Sequence, residues 1–146
     1  MLGYYRDPAA TAAALRPGGW LATGDLARWR PDGSIALVGR CKEMIIRAGF
    51  NVYPAEVEAA INRQPGVLQS GVVGRKRADG DEEVVAFVQP RVDASLEVAT
   101  LRAGLRAQLA PYKVPAQIVV VEQLPLGSSG KIHKAVLMEQ AVCLPS

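Results

Sequence analysis

Phe-Asn-Val-Tyr-Pro-Ala-Glu-Val-Glu-Ala-Ala-Ile-Asn, residues 50–62, is the stretch that decides the fold, because a short strand runs directly into a helix there. Pro54 suits the first turn of a helix, where its fixed φ is favourable and its missing amide hydrogen costs nothing. Val57, Ala60 and Ile61 then recur at helical spacing and form one apolar face. The stretch therefore predicts an amphipathic helix that begins at Pro54.

The sequence on both sides of this helix predicts a sheet and two more helices. Before it, residues 43–47 and 50–53 are strand-like runs that we expect to pair about the turn Ala48-Gly49. After it come three valine-rich runs with strand composition. They are residues 69–74, 83–88 and 117–121. A stripe of Val98, Leu101, Leu105 and Leu109 predicts a second helix that ends at Pro111, and a third helix is expected after Lys131. The pattern indicates an α+β fold in which helices flank a small sheet.

Residues 1–40 have a different sequence pattern from the rest of the chain. Pro31-Asp32-Gly33 separates two strand-like runs, and this turn signal predicts a hairpin because proline presets φ and glycine accepts a positive φ. A lone hairpin is marginally stable in water. We therefore expect residues 1–40 to be a β-hairpin remnant of something larger, whereas residues 41–146 form a self-sufficient domain.

Composition excludes several classes of protein. Apolar residues make up 49% and charged residues 21%, which is usual for a globular domain and unlike a disordered tail. The net charge is +3, but lysine and arginine are dispersed among acidic residues, which argues against nucleic-acid binding.

Cysteine and histidine are too few for a metal centre. Cys41 and Cys143 lie far apart in the sequence, and His133 is the single histidine that could act as a further metal ligand. We therefore expect reduced thiols and no metal site. No apolar run approaches the roughly 20 residues that span a bilayer, and the first residues lack the apolar stretch of a secretory signal. These features predict a cytoplasmic protein without a membrane span.

Four motifs in a fixed order carry the functional information. They are Gly-Trp-Leu-Ala-Thr-Gly-Asp-Leu at 19–26, Gly-Arg-Cys-Lys-Glu-Met-Ile-Ile at 39–46, Gly-Phe-Asn-Val-Tyr-Pro-Ala-Glu-Val-Glu at 49–58 and Leu-Pro-Leu-Gly-Ser-Ser-Gly-Lys at 124–131. Together they resemble the closing third of the adenylate-forming enzymes, the superfamily of acyl- and aryl-CoA synthetases, peptide-synthetase adenylation domains and luciferases. The resemblance covers nearly the whole chain. It implies that residues 1–40 are the tail end of the N-terminal AMP-binding domain and that residues 41–146 are the mobile C-terminal catalytic domain.

Lys131 matches the adenylation lysine of this superfamily. The reaction brings a carboxylate to the α-phosphorus of ATP, so charge on the phosphoryl oxygens must be balanced as it moves. A lysine is a compact cation on a long stem that can reach both anions. The loop of Gly127, Ser128, Ser129 and Gly130 before it suits delivery of the ammonium. The alternative is a solvated lysine at a helix start.

Asp25 and Arg40 are the nucleotide-binding residues that the resemblance implies. A carboxylate can accept hydrogen bonds from both ribose hydroxyls, and such charge-assisted bonds are stronger than neutral ones. Arg40 would lie near the same ribose. On sequence alone, Asp25 could instead be a turn or cap residue and Arg40 a surface charge.

The resemblance makes Lys42 the hinge about which the small domain rotates between the two half-reactions, and Gly49 part of the CoA channel. A hinge residue absorbs a φ/ψ change and need not be glycine. A glycine lets a thin thiol arm pass close to the backbone. An exposed lysine and a plain turn glycine are the alternatives. Arg75-Lys76-Arg77 is interpreted as a solvated loop rather than a contact to CoA phosphates.

The implied function is an ATP-dependent acyl- or aryl-CoA ligase that forms an acyl-adenylate and then a CoA thioester. Its substrates would be ATP with Mg²⁺, a carboxylic acid and CoA, and no cofactor is expected tightly bound to this piece. Luciferase-like members carry a lysine where this chain has Ile46, so their second half-reaction is not implied. The groups that bind adenine and triphosphate lie elsewhere in such enzymes, so we expect this chain alone to be inactive. The alternative is a stand-alone, non-catalytic module that binds CoA or a partner.

Two further partners follow from the sequence. Lys131 lies in a stretch that resembles the one recognised by protein acetyltransferases in this superfamily, and acetylation would remove its charge. Apolar residues of the N-terminal segment are expected to be exposed, which favours a homodimer through that segment.

Overall fold

The computed structural model describes residues 1–145, which divide into two compact units, Met1–Lys42 and the chain from Glu43 onward. The sequence placed its domain boundary at residue 40. That the first unit is the end of a larger domain stays a proposal.

The first unit consists of one helix and two small hairpins. Helix α1, Pro8–Ala14, was not predicted, and Asp7 caps it by accepting a hydrogen bond from the Ala10 amide. Strands β1, Leu15–Arg16, and β2, Trp20–Leu21, pair antiparallel, and so do β3, Asp25–Trp29, and β4, Ile35–Arg40. The second pair confirms the hairpin about Pro31-Asp32-Gly33.

No residue of this unit is buried within the described chain. Register pairs Trp29 with Ile35 and Ala27 with Leu37, so these side chains share one face of the hairpin. Trp29 is 74% exposed and Leu37 75% exposed. The unit thus presents an apolar face and contains no core of its own.

The second unit begins with the strand pair β5, Ile45–Arg47, and β6, Phe50–Val52, which confirms the second predicted hairpin. Helix α2, Pro54–Asn62, starts at the predicted proline and buries Val57, Ala60 and Ile61. Strands β7, Val67–Lys76, and β8, Glu82–Pro90, follow. Helix α3, Val98–Arg106, strand β9, Gln117–Val120, and helix α4, Lys134–Val142, complete the unit. Short 3-10 turns occupy Cys41–Glu43 and Pro111–Lys113.

The sheet has the order β7-β8-β9, with β7 antiparallel and β9 parallel to the central strand β8. Alternate residues of β8 enter two separate cores. Val84, Ala86 and Val88 pack with the buried side chains of α2 and α3. Val85 and Phe87 pack with those of α4. Both faces of β8 are covered, which explains its nearly continuous apolar run, and the α+β fold with helices flanking a small sheet is confirmed.

The limits of several strands and one helix differ from the sequence expectation. Strands β7 and β8 extend beyond residues 69–74 and 83–88, and α3 ends at Arg106 before the apolar stripe reaches Leu109. Strand β9 ends one residue early, at Val120, and α4 begins at Lys134, after Lys131 as expected. The stripe continues past α3 because Leu109 still packs against the core from the turn that follows.

Candidate active site

Lys131 lies in a closed loop between β9 and α4. Leu126 and Ile132 form an isolated β-bridge at its base. The Gly127 amide donates to the Lys131 carbonyl at 2.8 Å, and Gly130 has a φ of +74°, a conformation that suits glycine. The backbone is therefore fixed, whereas the Lys131 side chain is exposed and makes no ion pair within residues 1–145.

Asp25 and Arg40 are brought together at the end of the β3–β4 hairpin. They are opposite each other in register, and the Arg40 Nε lies 3.0 Å from Asp25 Oδ1. The Thr23 hydroxyl accepts a hydrogen bond from the Asp25 amide at 3.2 Å. Next to this pair, a cavity of about 430 Å³ is lined by Tyr4, Arg40, Lys42 and small residues, among them Thr23 and Gly24.

Lys42 is exposed and is the last residue of the first unit, inside the 3-10 turn Cys41–Glu43. The boundary between the two compact units therefore falls directly after the residue that the resemblance makes the hinge. No described carboxylate pairs with its ammonium.

Gly49 forms the β5–β6 turn together with Ala48. Both have positive φ, +50° at Ala48 and +78° at Gly49, and nothing lies within 4 Å of the place that a Cβ of residue 49 would take. Asp81 accepts a hydrogen bond from the Ala48 amide at 2.8 Å, and Glu82 accepts one from the Ile46 amide at 2.7 Å. These two carboxylates anchor the turn, and sequence analysis missed them because the contacts join residues far apart in the chain.

Three arginines line a groove beside this turn. Arg47, Arg102 and Arg106 surround a cavity of about 430 Å³ whose walls include Pro111 and Val114. The Arg47 guanidinium donates to the Val114 carbonyl at 2.8 Å, and Arg102 donates to the Pro115 carbonyl at 2.6 Å. None of the three pairs with a carboxylate in the described part of the chain.

An aromatic pair extends the arginine groove. Phe50 stacks on Tyr112 with ring centroids 4.6 Å apart, and the Lys113 ammonium lies 5.8 Å from the Tyr112 ring. The Arg47 guanidinium also donates to the Tyr112 carbonyl at 3.2 Å, so arginines without a carboxylate partner in residues 1–145 lie next to an aromatic pair, which suits an anionic ligand that carries an aromatic group.

The interpretation of Arg75-Lys76-Arg77 as a solvated loop is wrong for Arg75. Its side chain is 8% exposed and its Nε lies 2.5 Å from a Glu83 carboxylate oxygen. It also donates to the Ala141 and Leu144 carbonyls at 3.1 and 2.9 Å. Arg75 therefore holds the C-terminal end of α4, where orphan carbonyls need donors, and only Lys76 and Arg77 are exposed.

Residues 1–145 contain no group of three or more histidine, cysteine, aspartate or glutamate side chains placed to hold a metal ion. Cys41 and Cys143 are both free and exposed. None of the helices described is long and apolar enough to cross a membrane.

Comparison with known proteins identifies the fold that carries these residues. The sequence profile described as the AMP-binding enzyme C-terminal domain matches residues 56–131 of this chain, from the first turn of α2 to Lys131. The chain belongs to the AMP-binding enzyme C-terminal domain family.

Relatives of this AMP-binding C-terminal domain are CoA ligases. The chain is 40% identical over 141 residues to the sulfoacetate–CoA ligase of Cupriavidus necator and 43% identical over 130 residues to the 2-succinylbenzoate–CoA ligase of Geobacillus kaustophilus. These alignments cover 97% and 89% of this chain but 28% and 26% of the relatives.

Solved structures agree with this assignment. ATP-bound MatB from Rhodopseudomonas palustris has a TM-score of 0.86 and 38% identity, and the amide bond synthetase McbA from Marinactinospora thermotolerans has a TM-score of 0.86 and 35% identity. The alignments cover 97% and 95% of this chain and 28% of each of those chains. This AMP-binding C-terminal domain, with its preceding unit, thus spans about a quarter of the length of the proteins it matches.

Proposed function

We propose that this chain supplies the C-terminal catalytic portion of an ATP-dependent acyl- or aryl-CoA ligase, which forms an acyl-adenylate and then a CoA thioester. The observation that carries the proposal is Lys131, an exposed cation that has no ion-pair partner among residues 1–145 and lies on a loop closed by hydrogen bonds, at the end of the family match. The names of the relatives as CoA ligases support the reaction class.

Lys131 would act in the first half-reaction. A carboxylate oxygen of the acid forms a bond to the α-phosphorus of ATP as the bond to pyrophosphate breaks. Negative charge shifts among the phosphoryl oxygens during this step, and catalysis depends on positioning and charge stabilisation. The Lys131 ammonium would contact both the acid and the α-phosphate. Mg²⁺ would accompany the triphosphate as part of the substrate, and no residue of this chain is assigned to it.

Asp25 would hold the ribose of the nucleotide. Its ion pair with Arg40 uses Oδ1, so the second oxygen is the one proposed to accept from the ribose hydroxyls. Arg40 would lie near the same ribose, and hydrogen bonds to a carboxylate are charge-assisted and therefore stronger than neutral ones.

In the second half-reaction the CoA thiol attacks the acyl carbonyl, the thiol proton is lost to solvent, and AMP leaves with the bonding electron pair. The arginine groove of Arg47, Arg102 and Arg106 suits the phosphates of CoA, and the Phe50–Tyr112 stack suits its adenine. Arg47 precedes the Gly49 turn by two residues. We therefore propose that the phosphates lie in the groove and that the pantetheine arm passes over the open backbone at Gly49.

The test uses a complete ligase that contains this chain. Lys131→Ala should lower adenylation about a hundred- to a thousandfold, the loss expected when one contact to a developing charge is removed, and should largely spare thioester formation from supplied acyl-adenylate. Lys76→Ala is the matched control because Lys76 is also exposed and unpaired in the described residues. Equal loss in both half-reactions would contradict the role of Lys131.

The arginine groove also favours a second candidate, a module that binds CoA without catalysis, because the groove lies wholly within the second unit. Calorimetry of the 146-residue chain with CoA and with 3′-dephospho-CoA tests this candidate. Binding that weakens when Arg102 and Arg106 are replaced by glutamine would support the groove in either function. The Lys131→Ala result distinguishes the two candidates, because only the catalytic function predicts a loss of adenylation.

Two partners are part of the proposal. A protein acetyltransferase would reach Lys131, which is exposed, and acetylation would abolish the charge that adenylation needs. Peptide mass spectrometry should find Lys131 modified to a greater extent than the paired Lys113 and Lys134.

A second copy of the chain would cover the apolar hairpin face of Trp29, Ile35 and Leu37. Sedimentation of the wild type against Trp29→Ser measures that contact.

A further inference from the structure

Lys134, the first residue of α4, makes two ion pairs with different parts of the second unit. Its Nζ lies 2.6 Å from Glu43 Oε2 and 3.0 Å from Glu58 Oε1. Glu58 Oε1 also accepts a hydrogen bond from the Val72 amide at 2.9 Å. The three charged side chains are 19–33% exposed, so water screens them only in part.

Lys134 and its two carboxylate partners lie in different parts of the second unit. Glu43 is the first residue of the second unit and directly follows Lys42, the proposed hinge. Glu58 lies on α2, and through Val72 it is joined to the sheet. Lys134 itself follows Lys131 by three residues and begins the helix that anchors the loop. One ammonium therefore connects the distal side of the hinge, the core of the unit and the base of the catalytic loop.

We infer that Lys134 is a positioning residue that fixes Glu43 to the body of the second unit. The second unit would then rotate only about Lys42, and Lys131 would move with it as part of one rigid body. The inference rests on the proposed function, because it concerns the delivery of Lys131 to the reacting phosphate. Without the Lys134–Glu43 pair, residues 43 and 44 would swivel together with Lys42, and Lys131 would reach its position less reproducibly.

An ion pair that contributes little to folding stability can still have a large effect on a reaction rate. Ion pairs that water reaches typically contribute little to folding stability, so loss of Glu43 as a partner should leave the unit folded. Reaction rates respond more steeply, since a misplacement of about 1 Å can lower a rate about 10²-fold. We expect Glu43→Gln to lower kcat for adenylation roughly tenfold with nearly unchanged KM for ATP and acid.

The experiment is a double-mutant cycle in the complete ligase. Glu43→Gln is the primary variant because Glu43 has Lys134 as its ion-pair partner, whereas Glu58 also holds the Val72 amide. Lys134→Met should lower kcat by at least as much, and Glu43→Gln/Lys134→Met should be no slower than Lys134→Met alone. Lys134→Arg should restore most of the rate, because a guanidinium can reach two carboxylates. Glu139→Gln, on the exposed face of α4, is the matched control and should leave both half-reactions unchanged.

A second readout needs only the 146-residue chain. Hydrogen exchange followed by mass spectrometry should show faster exchange over residues 41–46 in Glu43→Gln, with β7 and β8 unchanged. Additive rate losses in the cycle, or unchanged exchange over residues 41–46, would overturn the inference. A normal effect of Lys131→Ala beside a silent Glu43→Gln would remove Lys134 as a positioning residue and leave the proposed function intact, whereas a silent Lys131→Ala would remove the proposed function itself.

Discussion

Arg75→Met tests whether the buried guanidinium is a structural part of the second unit. Methionine matches the aliphatic stem of arginine but is shorter and uncharged, so the change removes three interactions and adds little strain. The Glu83 carboxylate loses its partner, and the carbonyls of Ala141 and Leu144 lose their donor. Breaking a buried ion pair from one side costs about 3–5 kcal/mol. Because the Glu83 side chain is 17% exposed and water can reach it, we expect the lower end, ~3 kcal/mol.

Urea unfolding of the chain measures this cost. With a slope of about 1–3 kcal/mol per molar urea, the midpoint should fall by roughly 1–3 M, and the C-terminal end of α4 should exchange its amides faster. Arg77→Met is the matched control, since Arg77 and its partner Asp79 are about half exposed and the pair should contribute less than ~1 kcal/mol. Equal small effects of both substitutions would refute the reasoning and restore a solvated Arg75.

Three further predictions follow from single sites. Gly71→Ala should destabilise the second unit by about 1–3 kcal/mol in urea unfolding, because its Cβ would come 2.5 Å from Leu137 Cδ1 in a buried core. Lys42→Pro should leave adenylation intact if it locks that conformer and should abolish thioester formation, which separate half-reaction assays detect, because proline fixes φ at the proposed hinge. Ser34→Ala should raise the pKa of Asp32, which the Ser34 hydroxyl holds below its ordinary value of 3.8; NMR titration measures the change. The turn keeps this stabilisation above the ordinary pKa and loses it as pH falls through the lowered one.

Local signals explain why the secondary structure could be predicted. The start of α2 follows from Pro54 and the spacing of the apolar residues, and the β3–β4 hairpin follows from its turn residues, because both depend on neighbours in the chain. Helix α1 escaped prediction since its residues, Pro8–Ala14, are mostly alanine and offer no apolar periodicity.

Contacts between distant residues explain what could not be predicted. Arg75 sits in a run of three basic residues, yet register points it towards the end of α4, while Lys76 stays in solvent. Asp81 and Glu82 look like polar residues of a loop, although they anchor the β5–β6 turn. The Lys131 motif was found from resemblance, but that no carboxylate of the described chain pairs with Lys131 is visible only once the fold is known.

The cations of the second unit are of two kinds, those that form an ion pair with a carboxylate and those that do not within the described chain. Arg75, Lys113 and Lys134 each pair with a carboxylate, so their charge is already compensated and attracts a further anion less strongly. Lys131 and the arginine groove make no such pair within the described chain. A cation without a protein partner keeps its full attraction for an incoming anion, because no existing ion pair must be broken first. Two cations of the same chemical type, three residues apart on one loop and helix, can therefore have opposite tasks: Lys134 holds the body that moves, and Lys131 is the charge that the motion delivers.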